Sequence, residues 1–168
     1  NIKCYVDYFD HNYKGSFEDA ARKFRYNFFA KIYEKENCNG LFVGHHKDDV
    51  LETYLLKKQR NVVNESYLIN EKTIINKMNV YRPLIHSFYK NDLLEYCKNH
   101  NIPYGIDHTN FMDIHPRNVI RKKLESMNKD EVFASALKEE KLLKETRKEV
   151  KEYLRFYPKY LTSHLKGK

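Results

Sequence analysis

Glycine and cysteine are both scarce in this 168-residue chain. Its five glycines are nowhere adjacent to one another. That excludes a glycine-rich loop of the kind that cradles phosphate through backbone N–H groups. The three cysteines, Cys4, Cys38 and Cys97, are odd in number, far apart and without a C-x-x-C pair. Neither a disulfide framework nor a cysteine-ligated metal is expected, and a reducing, cytoplasmic setting fits best. Long apolar runs are missing too: nothing approaches the roughly 20 residues that a membrane-spanning helix needs. The opening NIKCYVDYFD has no basic n-region and no apolar h-region, so it does not read as a signal peptide. There is no internal repeat and no low-complexity linker.

What is present is ordinary for a soluble globular protein, with 41% hydrophobic and 32% charged residues. The length suits one domain with a real core. Lys and Arg total 31 against 23 Asp and Glu, a net charge of +8. Such an excess favours a polyanionic partner, because each phosphate neutralised releases condensed counterions. A general lysine-rich bias would produce the same number, so the charge serves only as support.

The residue pattern predicts a strand over residues 2–9. Gly15-Ser16 then opens a helix, with Ser16 as N-cap and Asp19 three residues on. Its expected apolar face is Phe17, Ala20, Ala21, Phe24, Phe28 and Ile32, and Asn37-Cys38-Asn39-Gly40 ends it. Residues 41–44 make a short apolar strand, followed by a helix from Val50 to about Lys58. This βαβα order predicts an α/β fold: a parallel sheet flanked by helices, with its site at the strand C-terminal ends. Further on, Tyr67-Leu68-Ile69 and Thr73-Ile74-Ile75 are expected as a hairpin around Asn70-Glu71-Lys72. A helix capped near Ser87 turns Leu93, Leu94 and Cys97 inward, and residues 101–118 read as loop. A long helix from Asn128, with Glu131 as capping partner, should run to Pro158 and leave a loose tail. Its stripe is Phe133, Leu137, Leu143, Val150, Leu154 and Tyr157.

The dense chemical feature is GHHKDDVLET, Gly44 to Thr53, with two imidazoles and three carboxylates at a strand-to-helix turn. Three readings compete. His46, Asp49 and Glu52 could ligate zinc or magnesium, as a metallohydrolase would need. The carboxylates could instead do electrostatic work on a phosphorylated substrate, holding magnesium. Helix capping by Asp49 and Glu52 is the third, although a cap needs one acid and no histidines.

GHHKDDVLETYLL resembles the H-H-x-D-D-x-x-E-T-x-L-L signature of tRNA(Ile)-lysidine synthetases, in the PP-loop ATP pyrophosphatase superfamily. Three further segments agree in the family's order. EDAARKFRYNFF, Glu18 to Phe29, is similar to its E-x-A-A-R-x-x-R-Y-x-F-F helix. YRPLI, Tyr81 to Ile85, matches its R-P-L-L segment, with Lys90 and Tyr96 following. IPYGIDHTNFMDIHPRNVIRKKL, Ile102 to Leu124, resembles its I-P-Y-x-x-D-x-[ST]-N … R-N-x-I-R stretch.

The resemblance implies a two-step ligase. ATP adenylates the C2 oxygen of the wobble cytidine in an isoleucine tRNA with a CAU anticodon, and free lysine then displaces AMP. Magnesium and cationic side chains would offset the developing phosphate charge, and a carboxylate or imidazole would take the lysine proton. It implies His45, His46, Asp48, Asp49 and Glu52 at the reaction centre, with Asp49 for lysine positioning or magnesium support. His46 would serve the adenylate or proton transfer. Arg22, Arg25, Arg82, Arg117, Asn118 and Arg121 would meet phosphate, tRNA or the lysine carboxylate. Alternatively, Arg82 anchors structure beside Pro83, and Asp107 and Asn110 only shape a turn.

By the same resemblance, residues 1–125 would be a partial PP-loop catalytic domain and 126–168 a C-terminal helix and tail. The superfamily's S-G-G-x-D-S pyrophosphate loop is not in this sequence. The expectation is therefore of a missing upstream part, without which the chain binds ATP poorly. Residues 59–80 also lack the family's glycine-rich stretch. A catalytically silent tRNA-binding module is the alternative from another class. A tRNA thiolation enzyme fits less well for want of C-x-x-C pairs.

Overall fold

A computed structural model describes residues 2–10, 13, 15–60, 66–105 and 116–165, without the side chains of 116–117 and 156–165. The element order is α1 (Phe17–Lys35), β1 (Leu41–Phe42), α2 (Lys47–Gln59), β2 (Lys72–Ile75), β3 (Met78–Tyr81), α3 (Lys90–Asn99), α4 (Pro116–Glu125) and α5 (Lys129–Leu165). The chain forms two compact units, Asn1–His46 with Asn70–Ser87, and Lys47–Ile69 with Phe88–Lys168. No helix among the described residues is long and apolar enough to cross a membrane.

The first unit is a small sheet in the order β1-β3-β2, with α1 against it. β1 runs parallel to β3, pairing Leu41 with Val80 and Phe42 with Tyr81. β2 is antiparallel to β3 and pairs Thr73 with Val80. Met78 and Val80 alternate inward along β3 and meet Tyr26 of α1, surrounded by Phe29, Ala30, Tyr33, Leu41, Val43 and Ile75. A parallel pair is present as expected, but β1 pairs with β3, which was not expected as a strand, and not with residues 2–9; β2 adds an antiparallel edge.

Several boundaries differ from the sequence reading. Residues 2–10 carry no strand; Ile2, Val6 and Tyr8 are exposed, and Tyr5 instead donates to Glu36 at 2.5 Å. A strand exists only where a neighbour completes its ladder. The hairpin joins β2 to β3, not 67–69 to 73–75, because its turn is Asn76-Lys77, with φ of 48° and 66°. Both values suit a tight type I′ connection. α1 does begin after Ser16, but the Ser16 side chain makes no capping hydrogen bond. The sheet also selects Tyr26, Phe29, Ala30 and Tyr33 over the expected stripe, leaving Phe17 exposed. α1 has aromatic residues on two sides, and only tertiary contact chooses between them.

In the second unit, α2 packs against α4 and α5. Val50, Leu51 and Tyr54 of α2, Ile120 and Leu124 of α4, and Phe133 and Ala136 of α5 are buried. α2 starts at Lys47, earlier than expected, so Asp48 and Asp49 sit in its first turn and Asp49 is not the N-cap. α3 is capped at Tyr89, not Ser87. Leu93, Leu94 and Cys97 are its half-buried positions, as anticipated. α4 takes over the end of the expected loop from Pro116, while Asp107 and Asn110 lie outside the described residues. Asn128 caps α5 as expected, its Oδ1 accepting the amides of Asp130 and Glu131 at 3.2 and 3.4 Å. The helix continues through Pro158 to Leu165. A proline removes one i→i−4 bond and can kink a helix without ending it. Among the described side chains of the predicted stripe only Phe133 is buried; Ala136 and Glu140 complete the inward face, while Leu137, Val150 and Leu154 are exposed and the Tyr157 side chain lies outside the described residues.

Candidate active site

The run from Gly44 to Thr53 spans the boundary of the two units, and each part has its own supports. In the first unit His45 and His46 follow β1 and are half-buried, with His46 pairing to Leu84 as a parallel bridge. Arg82, directly after β3, is buried. Its Nη1 donates to the Asn70 carbonyl at 2.8 Å and to Thr73 Oγ1 at 3.0 Å. Its amide donates to the Glu71 carbonyl at 2.8 Å. These bonds clamp the entry to β2 onto the end of β3. Arg22 and Arg25 are exposed on α1, and the Arg22 guanidinium lies 4.9 Å from the Tyr26 ring centre.

In the second unit Asp48 and Asp49 occupy the first turn of α2, where the helix dipole favours negative charge. Asp48 is 8% exposed. Its Oδ2 accepts the Lys90 amide at 2.7 Å, and its Oδ1 accepts Lys129 Nζ at 2.6 Å. One carboxylate thus joins the start of α2 to the first residues of α3 and α5. Glu52, one turn on, is 4% exposed and pairs with Arg121 Nε of α4. Asn118 of α4 is buried, Asp49 is half-buried, and the Arg117 side chain lies outside the described residues. Around Asp48 sits a cationic and aromatic group. Lys47 Nζ lies 4.7 Å from the Tyr89 ring centre and 5.2 Å from that of Phe133, with Lys129 Nζ 5.9 Å from Tyr89. Burial, and then the 2.7 Å hydrogen bond to Asp130, push the Tyr89 phenol well above its usual range.

The contacts sort the expected residues chemically. Glu52 and Arg121 are brought into direct contact, whereas Asp48 meets a lysine that the motif does not contain. Among the described residues, no group of three or more His, Cys, Asp or Glu is placed to hold a metal ion. The metallohydrolase reading therefore gains no support.

Comparison with known proteins decides the family. A model of the PP-loop domain matches residues 1–129.

The chain belongs to the PP-loop domain family.

Its relatives are consistent with that assignment. The chain is 40% identical over 131 residues to a tRNA(Ile)-lysidine synthase of Mycoplasmopsis pulmonis, covering 77% of this chain and 45% of the relative. It is 39% identical over 118 residues to a protein of the same name from Ureaplasma parvum, covering 70% and 35%. A third, from Mesomycoplasma hyopneumoniae, is 36% identical over 120 residues, covering 71% and 40%. The chain spans less than half the length of each of these curated relatives. The resemblance carried by the four ordered segments is borne out, as is the α/β class of PP-loop type.

Within this PP-loop domain, sequence reasoning missed Lys47, Tyr89 and Lys129. Lys47 stands inside the signature, and its neighbours alone gave no reason to assign it a role. Lys129 lies 81 residues from Asp48, and no local pattern connects them.

Proposed function

We propose that this PP-loop domain works in a tRNA(Ile)-lysidine synthase. The observation that carries the reading is 40% identity to a protein of that name across 77% of the chain. The proposed reaction uses ATP to adenylate C2 of the wobble cytidine in isoleucine tRNA with a CAU anticodon. The side-chain amine of free lysine then displaces AMP. Such a reaction belongs in the cytoplasm, where ATP, lysine and tRNA meet.

The side-chain contacts support a division of roles. Asp48 and Glu52 are buried and each paired with a cation, so they position α2 and hold its partners. His45, His46 and Asp49 take the chemical roles: the imidazoles serve the adenylate and proton transfer, and Asp49 the lysine amine. Arg22 and Arg25, exposed on one helix, are suited to phosphate or to the lysine carboxylate. Arg82 and Arg121 are engaged with the protein and contribute by holding it in shape, with Asn118 beside Arg121 on α4; Arg117 completes the basic start of that helix. Magnesium would arrive with ATP, which suits an ion that keeps most of its waters and uses few protein ligands. Asp49 is the candidate support for it.

The test is transfer of labelled lysine onto isoleucine tRNA with a CAU anticodon, given ATP and magnesium, by the complete product of the gene. Incorporation is expected, and Asp49→Asn should abolish it while leaving the protein folded by circular dichroism. A wild-type protein that binds this tRNA but incorporates no lysine would overturn the reading.

A further inference from the structure

The distal half of α5 plays no part in the candidate active site. Lys144, Arg147 or Lys148, Lys151 and Arg155 recur there at three- and four-residue steps, and all five lie together on one face of the helix. That spacing places them in a single stripe. It extends for about 17 Å at ~1.5 Å per residue. The helix is anchored far upstream, by Phe133, Ala136 and Glu140. Arg147 is half-buried, and Lys148, Lys151 and Arg155 are exposed. Lys144 pairs with Glu140 at 3.2 Å, but among the described residues the other four form no ion pair.

Along the stripe itself, like charges face one another. Lys144 with Lys148, Arg147 with Lys151, and Lys151 with Arg155 are like charges one turn apart, which destabilise a helix. Glu145 and Glu149 fall off the stripe, and Glu152, one turn after Lys148, is the acid that borders it among the described residues. A solvated face stabilised by charge would alternate the signs. A row of one sign is relieved by a row of the other, and the commonest regular row of negative charge is a nucleic-acid backbone.

We propose that this stripe is a docking surface for an RNA phosphate backbone. The identity of that RNA as tRNA rests on the lysidine synthase reading; the backbone chemistry does not. An anionic membrane is the weaker occupant. Surface-bound helices need a continuous apolar face, and Arg147 interrupts the flank between Leu143 and Val150. With five phosphate contacts, the logarithm of affinity should fall with the logarithm of salt at a slope of about −3.5 to −4.5.

The experiment measures binding of two fluorescent RNAs to the complete gene product across a salt series: isoleucine tRNA with a CAU anticodon, and an unrelated hairpin of equal length. The stripe variant carries Lys148→Glu, Lys151→Glu and Arg155→Glu. A control with the same charge change carries Lys31→Glu, Lys77→Glu and Lys98→Glu, all exposed on other elements. The stripe variant should bind both RNAs at least about tenfold more weakly, with the salt slope reduced by about 2 to 3. Its helix content by circular dichroism should be kept, since all three positions are exposed and glutamate forms helix about as well as lysine or arginine. The lysine-transfer assay should show a raised KM for tRNA and little change in kcat. Equal affinity and slope in the stripe variant would overturn the proposal. So would equal weakening in the control, or loss of binding to phosphatidylserine vesicles with RNA binding intact. Because the hairpin reports on the stripe even when no lysine is transferred, failure of the enzyme reading and failure of this inference give different results.

Discussion

Removing the Asp48 carboxylate should cost more stability than any other single change at the start of α2. Asp48 is 8% exposed and accepts hydrogen bonds from the Lys90 amide at 2.7 Å and from Lys129 Nζ at 2.6 Å. The first sits at the N-terminus of α3, where a charged acceptor also meets the helix dipole, and is worth about 1.5–3 kcal/mol. The Lys129 side chain is 28% exposed. Its ammonium regains water once the partner is lost, so the ion pair adds only about 0.5–1 kcal/mol. Asp48→Ala should therefore destabilise by about 3 kcal/mol. With a urea m-value of about 2 kcal/mol/M, the midpoint falls by about 1.5 M. Asp48→Asn keeps an acceptor for the Lys90 amide and should lose roughly half as much. A double-mutant cycle of Asp48→Ala with Lys129→Met isolates the ion pair and should return a coupling of about 0.5–1 kcal/mol. A coupling indistinguishable from zero, together with a harmless Asp48→Asn, would refute the assignment of Asp48 as the tie between α2, α3 and α5.

Two further expectations concern the same fold. Burial works to raise the Glu140 carboxyl. Hydrogen bonds from Ser66 Oγ at 2.8 Å and the Tyr67 amide at 2.7 Å, with Lys144 beside it, nevertheless hold it below the usual glutamate range. A lowered folded-state value stabilises the protein above the unfolded-state value of about 4.3, and the contribution disappears as pH falls through the lowered one. Glu140→Gln should thus cost about 1–2 kcal/mol at pH 7, and the gap in urea midpoints should shrink as pH is taken down to 3. A gap that stays constant would count against the charge-based account. At the hairpin, Lys77 sits at φ 66°, where glycine carries no side-chain penalty. Lys77→Gly should raise stability by about 0.5–1 kcal/mol, read as a higher melting temperature; a decrease would mean that the lysine side chain stabilises the turn.

Much of the local structure was legible. The glycine and serine before α1, the short apolar β1 between Gly40 and Gly44, and Asn128 at the start of α5 all mark ends through the chemistry of a few neighbouring residues. The family signature was legible for the same reason, being contiguous. Reading failed where two local solutions compete. Asn70-Glu71-Lys72 has turn residues, yet the hairpin turns at Asn76-Lys77, because that register puts Met78 and Val80 against Tyr26. The aromatic residues of α1 offer two stripes, and the sheet chose the one through Tyr26.

By itself, the sequence determined most of the helices, the short apolar β1, the α/β class and the contiguous family signature, but not β3, the parallel partner of β1. It could not determine how the signature residues are employed. Asp48 meets Lys129 across 81 residues, and Glu52 meets Arg121 across 69. Spacing along the chain says nothing about such pairs. They form because burying α2 against α4 and α5 takes two carboxylates out of water, and a buried charge needs a counter-charge and hydrogen bonds wherever the fold can supply them.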